Sequence, residues 1–326
     1  MTATMFTHLC FAQDMFTNGL TVFEYLVGFN IPDSSTLKRV MKAQKDLLER
    51  LRPFDFKDKA SQPIVTLAVD RSTKSMVAPA GSFKTCHPAS FVNLDKLSQA
   101  HITAVPILGL EAIVVKHVYW RVSGPTSSHK QLTINDKLVK TLDEANCLYW
   151  ATSLINLLYS YIDKTLACRA PTAPTIIVPR LHLVHSAVAV PQDSCEASAA
   201  VYLLEEKITG KFVKYINNNS ATLRQNLEES ELNIAEFLCF AQHAQHAQYN
   251  ITQGLVFLSD FQGAGDLLTD CQVITTPDYA KSFSDGNWTK MLHNFPKRHN
   301  QQILCGLGFS VILSHPDGYV NLSMPV

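Results

Sequence analysis

HAQYNITQGLVFLSDFQGAGDLLTDCQ runs from His246 to Gln272, followed by FSDGN at Phe283 to Asn287 and HNQQILC at His299 to Cys305. The apolar run Leu255–Leu258 ends in Ser259-Asp260-Phe261-Gln262-Gly263, and a second acid follows at Asp270. An apolar strand that ejects an acid and an amide two residues apart, just before a glycine turn, can hold a metal at the mouth of a cleft. Strand side chains alternate, so Asp260 and Gln262 are expected on one side. Asp270, eight residues beyond Gln262, is expected to close over that site from a loop. The plain alternative is a solvated acidic loop.

Working upstream, Thr141 to Lys164 reads as a long helix. Leu142, Ala145, Leu148, Tyr149, Leu154, Leu158 and Ile162 suit its buried face, and Asp143 and Glu144 lie in the first turn, where the helix dipole favours acids. Strands are expected at Ile64–Val69, Ile113–Tyr119, Thr175–Val178, Ala187–Val190, Val201–Leu204 and residues 251–258, with a second helix over 221–247. Phe16, Leu20, Phe23 and Leu26 have helical spacing, and Ser35 to Leu51 is a charged amphipathic run ended by Pro53, so residues 1–60 read as a helical extension. A β-rich half carrying a lysine, one long helix, then an α+β half carrying acids describes a two-lobed nucleotide-binding enzyme with a cleft.

Lys116 sits inside the apolar run Ile113–Tyr119. A buried ammonium without a partner is expensive, so it either meets an anion in a cleft or keeps its head in water above a buried stem. Gly81-Ser82-Phe83-Lys84 is a turn entering a strand. Leu204-Glu205-Glu206-Lys207-Ile208-Thr209-Gly210-Lys211-Phe212-Val213-Lys214-Tyr215 reads as the end of a strand followed by a turn, or as a hairpin about Thr209-Gly210.

Composition bounds the partners. Lys and Arg number 28, as do Asp and Glu, so no basic stripe suggests nucleic acid. The apolar runs are too short to span a bilayer, so no membrane is expected either. The N-terminal sequence lacks a basic segment followed by a clean apolar core, which argues against a signal peptide. The eight cysteines are scattered with no CxxC, as in a reduced intracellular protein, and cytoplasmic placement is expected.

Taken together these segments resemble the alpha-type (atypical) protein kinases, the group of myosin heavy chain kinase and elongation-factor-2 kinase, and in particular fungal members. Asp260-Phe261-Gln262-Gly263 and Thr269-Asp270-Cys271-Gln272 resemble the DxQG…TDPQ segment. Val114-Val115-Lys116 resembles the VAK strand, Gly81–Lys84 the G-[SA]-[FM]-[RK] turn, and Leu204–Tyr215 the VExYIxGxFxKY hinge. The likeness covers about residues 65–311. It implies an α+β, two-lobed protein-kinase-like fold with an ATP cleft between lobes. The implied domain is 61–312, with an N-lobe over about 61–203, a C-lobe over about 204–312 and a tail at 313–326. It implies ATP phosphates on Lys84 and Lys116, and adenine on main-chain groups of Glu205 and Ile208. It further implies Mg²⁺ on Asp260 and Gln262, and Asp270 handling the hydroxyl of a protein Ser or Thr substrate. Hard cations take oxygen ligands, and phosphoryl transfer asks chiefly for positioning and charge neutralisation.

The same resemblance implies a structural zinc site, with His246 fourteen residues before Asp260 and His299 and Cys305 at the ends of an H-x-C-N-x-x-C run. Gln301 replaces a cysteine ligand there. Since structural zinc prefers four ligands, zinc is lost, or water completes the site, or His243 supplies the fourth ligand. Phe283-Ser284-Asp285-Gly286-Asn287 loses one glycine of the family's FGxGN, and Cys271 replaces the proline of TDPQ. These departures leave a pseudokinase, a nucleotide-binding interaction module without turnover, as the alternative to an active kinase.

Overall fold

The computed structural model describes Tyr25–Gly28 and, with internal gaps, residues 64–292. The chain divides into two compact units. The first comprises Met1–Ile31, Leu51–Tyr149 and Val184–Thr209, the second Pro32–Arg50, Trp150–Leu183 and Gly210–Val326.

The first unit is built on a six-stranded sheet in the order β1-β8-β9-β4-β3-β2. Its strands are β1 (Tyr25–Gly28), β2 (Thr66–Val69), β3 (Lys84–Val92), β4 (Ile113–Val118), β8 (Ser186–Val190) and β9 (Tyr202–Glu206), and every neighbouring pair is antiparallel. After β4, β5 (Trp120–Val122) and β6 (Ser128–Lys130) form a separate antiparallel ribbon. Alternation sets the two faces apart. Ile113 and Val115 of β4, Tyr202 and Leu204 of β9, and Leu67 and Val69 of β2 pack into one core with Ile107 and Leu108. The short helix α1 (Gln99–Ala104) lies in the segment after β3, and its Ser98 cap accepts the His101 N–H. Val114, Lys116 and Val118 belong to the opposite face. Because β4 is buried on both faces, its sequence reads as an unbroken apolar run.

Tyr25–Gly28 departs from the helical extension expected over residues 1–60, the rest of which lies outside the described residues. The Tyr25–Gly28 segment pairs with Val190–Ala187 as an edge strand of the six-stranded sheet. In Tyr-Leu-Val-Gly, β-branched and aromatic residues and strand pairing outweigh the helical spacing that ends at Leu26.

Helix α2 (Ile134–Ala167) starts seven residues before the expected Thr141. Thr133 closes its first turn. The Thr133 hydroxyl accepts the Asp136 N–H at 3.2 Å and donates to the Asp136 carboxylate at 2.7 Å. Ala145, Leu148, Tyr149, Leu154, Leu158 and Ile162 are buried as expected, whereas Leu142 is half-buried; Cys147, Trp150, Ala151 and Leu157 are buried too, so the middle of the helix is packed on nearly every side.

The second unit holds a four-stranded sheet in the order β10-β12-β13-β7 and a two-stranded ribbon of β11 and β14. The strands are β7 (His182–Leu183), β10 (Val213–Lys214), β11 (Val256–Ser259), β12 (Gln262–Ala264), β13 (Leu267–Thr269) and β14 (Gln272–Thr275). Strands β9 and β10 join different sheets, so the segment between them is not the hairpin allowed by sequence. Gly210 turns the chain there at φ 98°. The unit boundary at Thr209–Gly210 keeps all of β9 in the first unit, later than the expected 203–204. Between β14 and the end of the described chain, Phe283 meets the Trp150 indole edge-on at 6.2 Å. No helix among the described residues is long and apolar enough to cross a membrane.

Two histidines lie on the core face. His117 meets the Tyr202 ring edge-on at 5.6 Å, and burial, aided by the charges of Lys137, Arg71 and His87, pushes its pKa down to about 3. Burial also lowers His87. His117 is neutral in the folded chain near pH 6 and binds a proton on unfolding. Stability is therefore full above about pH 6.5, and the His117 contribution declines down to about pH 3. His117→Phe should flatten the stability–pH slope across that window by up to one proton, about 1.4 kcal/mol per pH unit, as read by urea midpoints at successive pH values.

Candidate functional site

The Leu-Ser-Asp-Phe-Gln-Gly segment is one arm of a long hairpin that switches sheets midway. Ser259 of β11 faces Gln272 of β14, and Gln262 of β12 faces Thr269 of β13. Three residues forward on one arm match three back on the other, so the register passes through the switch without slipping. Asp260-Phe261 and Asp270-Cys271 occupy the switch. Asp260 (φ 57°) and Asp270 (φ 53°) are the only non-glycine residues with positive φ among the described residues. Aspartate visits this left-handed region more readily than most residues, at a cost of about 1–2 kcal/mol each. One left-handed residue per arm turns both arms together, and each arm carries one acid at the bend.

Asp270 follows β13, which is returned by a tight turn at Gly265-Asp266 with Ala264 facing Leu267, and with Cys271 it links β13 to β14. One expectation is corrected: strand alternation does not relate Asp260 to Gln262, because Asp260 lies outside both strands. Lys214 relates them instead. It faces Gln262 in the β10–β12 ladder, and its ammonium lies 2.6 Å from Asp260 Oδ1. Asp260 is only 6% exposed, so this ion pair offsets the desolvation of the carboxylate. The lysine went unrecognised in the sequence, although it is the Lys of the FxKY signature.

Gly263 has a steric reason. A Cβ there would lie 2.0 Å from the Leu267 carbonyl oxygen, inside the partner strand. Tyr215 and Ile216 donate their N–H groups to the Phe261 carbonyl at 2.9 and 3.2 Å, fastening the bend to β10.

In the first unit, cross-strand pairs share a face. Cys86 faces Lys116 and Leu203 faces Lys116, so Lys84, Lys116 and Glu205 lie on one face, opposite the apolar core. Lys116 Nζ is 2.7 Å from Glu205 Oε2, with the two side chains 8% and 2% exposed. Lys84 Nζ is 2.7 Å from Glu144 Oε2 of α2 and lies over the Phe83 ring at 5.3 Å. Lys116 thus takes the anion-paired option rather than keeping its head in water. Gly81 N–H bonds to the Lys84 carbonyl at 3.0 Å, and the Tyr119 hydroxyl donates to the Gly81 carbonyl, so the turn before Lys84 is well braced.

Glu205 departs from its expected role. It faces Val114 and Ser186 in a strand flanked on both sides, so its main chain serves the sheet and its side chain is what meets Lys116. Ile208 lies past the last rung of β9. Lys84, Lys116, Glu205 and Ile208 belong to the first unit, while Asp260, Gln262 and Asp270 belong to the second. His246, His299 and Cys305, with Gln301 and His243, lie outside the described residues, as do Ser284 and Gly286. Among the described residues, no three His, Cys, Asp or Glu side chains gather as a metal site.

The donors present at the bend do fit a hard divalent cation. A buried carboxylate already holds a cationic group, the Lys214 ammonium, and an amide oxygen lies on the facing residue. Such a pair suits Mg²⁺, which takes few protein oxygens alongside phosphates and water.

An α+β chain with lysines on one sheet and paired acids at a hairpin bend has the parts of a phosphotransferase. The alpha-kinase family model matches residues 135–305, just over half of the sequence. The chain therefore belongs to the alpha-kinase family and is an ATP-dependent protein kinase, and the pseudokinase alternative is not favoured. Gly81–Lys84 and Lys116 precede the matched range. Among solved structures, an alpha kinase from Entamoeba histolytica is 16% identical, covering 84% of this chain and 85% of that one, with a TM-score of 0.50, a likeness of fold. The alpha-kinase domain of myosin heavy chain kinase A in complex with AMP is 14% identical over 90% of this chain and 98% of that one, with a TM-score of 0.48. No curated protein matches the chain by sequence.

Two substitutions test this geometry. Lys116→Met strands the Glu205 carboxylate in the sheet and should cost about 3–5 kcal/mol, most of it recovered by adding Glu205→Gln, in chemical denaturation. Gly263→Ala must push the Leu267 carbonyl aside and should cost about 1–3 kcal/mol or more by the same measurement.

Proposed function

We propose that the chain transfers the γ-phosphate of ATP to serine or threonine hydroxyls of a protein substrate, with Asp260, Gln262 and Asp270 at the hairpin bend as its catalytic centre. The observation that carries this reading is the paired left-handed break, which sets one acid on each arm of the bend, Asp260 beside the Lys214 ammonium. Asp270 accepts the proton of the attacking hydroxyl and orients it for in-line displacement. Lys84 and Lys116 hold the ATP phosphates, and main-chain groups near Ile208, beyond the β9 ladder, hold the adenine edge. Mg²⁺ held by Asp260 and Gln262 would neutralise charge on the phosphate oxygens. This division of labour needs little covalent chemistry from the protein, because phosphoryl transfer depends mainly on positioning and electrostatic stabilisation.

In this reading the first unit is the N-lobe and the second the C-lobe. A structural zinc on His246, His299 and Cys305 rests on the sequence alone, and about one zinc per chain by elemental analysis is its expected measure. Intracellular, cytoplasmic placement is proposed from the scattered cysteines, which show no CxxC pattern. Balanced charge supports a protein substrate rather than nucleic acid or membrane.

The test is autophosphorylation and transfer to a generic protein substrate with labelled ATP and Mg²⁺. Wild type should incorporate label on Ser or Thr, Asp270→Ala should lose about a hundredfold or more, and Lys116→Arg should label weakly while keeping its fold. Undiminished label in Asp270→Ala would remove that residue from the chemistry.

A further inference from the structure

The acid-bearing strand β11 has β14 on one side, and among the described residues no strand on the other. Its second edge is nonetheless satisfied, by side chains. Gln248 Oε1 accepts the Leu258 N–H at 3.0 Å, and Gln245 Nε2 donates to the Leu258 carbonyl at 2.6 Å. Two residues earlier, the Thr252 hydroxyl accepts the Val256 N–H at 3.2 Å and donates to the Val256 carbonyl at 2.9 Å. Both glutamines and the threonine are almost fully buried. Every described residue from Glu229 to Ile251 is helical, and Gln245 and Gln248 stand three apart in the Ala-Gln-His-Ala-Gln-His-Ala-Gln run. That spacing places both on one helix face. Gln248 also donates to the Leu154 carbonyl of α2 at 3.4 Å.

We infer that Gln245 and Gln248 are positioning residues for Asp260, clamping both main-chain groups of Leu258 so that the left-handed Asp260 presents its carboxylate to the metal. This deepens, and rests on, the reading of Asp260 as an Mg²⁺ ligand. Leu258 is two residues before Asp260, and Ser259 between them is held by β14 through its pairing with Gln272. A non-glycine residue at φ 57° keeps that conformation only where its surroundings dictate it. The clamp supplies that constraint on the edge that lacks a strand. Thr252 makes the same two bonds at Val256, farther from the bend, and so serves as an internal control.

The experiment compares Gln245→Met, Gln248→Met and Thr252→Val in the full chain. The readouts are the Mg²⁺ concentration for half-maximal phosphorylation at saturating ATP, and the melting temperature. Each variant removes buried hydrogen bonds, so all three should melt lower. The glutamine variants should also raise the Mg²⁺ requirement by about 10–100-fold, as loss of groups that orient metal ligands does, while Thr252→Val leaves it unchanged. Equal Mg²⁺ requirements in all three, or a Thr252→Val shift as large as the others, would overturn the inference. Should the Met variants fail to fold, Gln245→Glu and Gln248→Glu separate the accounts. The first sets a carboxylate against the Leu258 carbonyl, whereas the second keeps an acceptor before its N–H. The clamp requires the larger rise in Gln245→Glu, and equal rises count against it. Asp260→Asn isolates the underlying reading. If it leaves the Mg²⁺ requirement unmoved, Asp260 is not the ligand. The clamp is then judged by amide exchange at Leu258, which should accelerate selectively in Gln248→Met.

Discussion

The second unit depends on a register that does not slip where its hairpin changes sheets. β11 with β14 and β12 with β13 are two halves of one antiparallel ribbon, and the chain leaves one half for the other at Asp260 and Asp270. A one-residue slip would turn every side chain of one arm to the wrong face. Val256, Phe257, Leu258 and Ser259 are all buried, so β11 is packed on both faces and a slip would displace side chains on each. The register as it stands places one acid of each arm at the bend. Gly263 contributes by omission, since only a residue without a Cβ lets the arms close one residue past the switch.

A second regularity is that each lysine at the candidate site meets a carboxylate: Lys116 with Glu205, Lys84 with Glu144 and Lys214 with Asp260. Buried ion pairs rarely add net stability, because desolvation takes back most of the attraction. Apolar residues of similar volume could fill a sheet at least as well. Under the proposed function, the pairs hold charges in place for anionic and cationic ligands. Lys116 and Lys84 are anchored on the coreless face of the sheet. The Asp260 carboxylate keeps a cationic neighbour despite being nearly inaccessible to water. In a site of low dielectric, groups already oriented need little reorganisation when charge moves.

Much of this was legible in the sequence, for physical reasons. The run Leu255–Leu258 announced a buried strand, although the strand begins at Val256 and Ile251 of the expected 251–258 is helical, and Asp260, Gln262 and Asp270 stood out by spacing. Lys116 in an apolar run had to find an anion, and it did so at Glu205. What failed did so through pairing that is not local. The strand at Tyr25–Gly28 is fixed by partners about 160 residues away in sequence. The Asp260–Gln262 relation assumed strand alternation across a left-handed residue, and no local pattern announces such a residue when it is not glycine. Glu205 was expected to offer its main chain, but a central strand has already spent it. The start of α2 was missed although Thr133 and Asp136 carry a capping box, because the apolar periodicity drew attention to the middle of the helix.

The glutamines show a different limit. In Ala-Gln-His-Ala-Gln-His-Ala-Gln the histidines attract notice as possible ligands, and glutamine on a helix passes for a solvated residue. Gln245 and Gln248 are instead completely buried. An amide is well suited to replacing a missing strand, since it carries a donor and an acceptor on one rigid group, as a peptide unit does. An exposed strand edge also invites pairing with other chains, and covering it with helix side chains removes that liability. The arrangement makes the strand that delivers Asp260 answer to a helix as well as to β14. A left-handed aspartate between two sheets has few bonds of its own to resist rotation. Its carboxylate is only as well placed as Leu258 behind it, and Leu258 is held on its outer edge by two side chains rather than by a ladder.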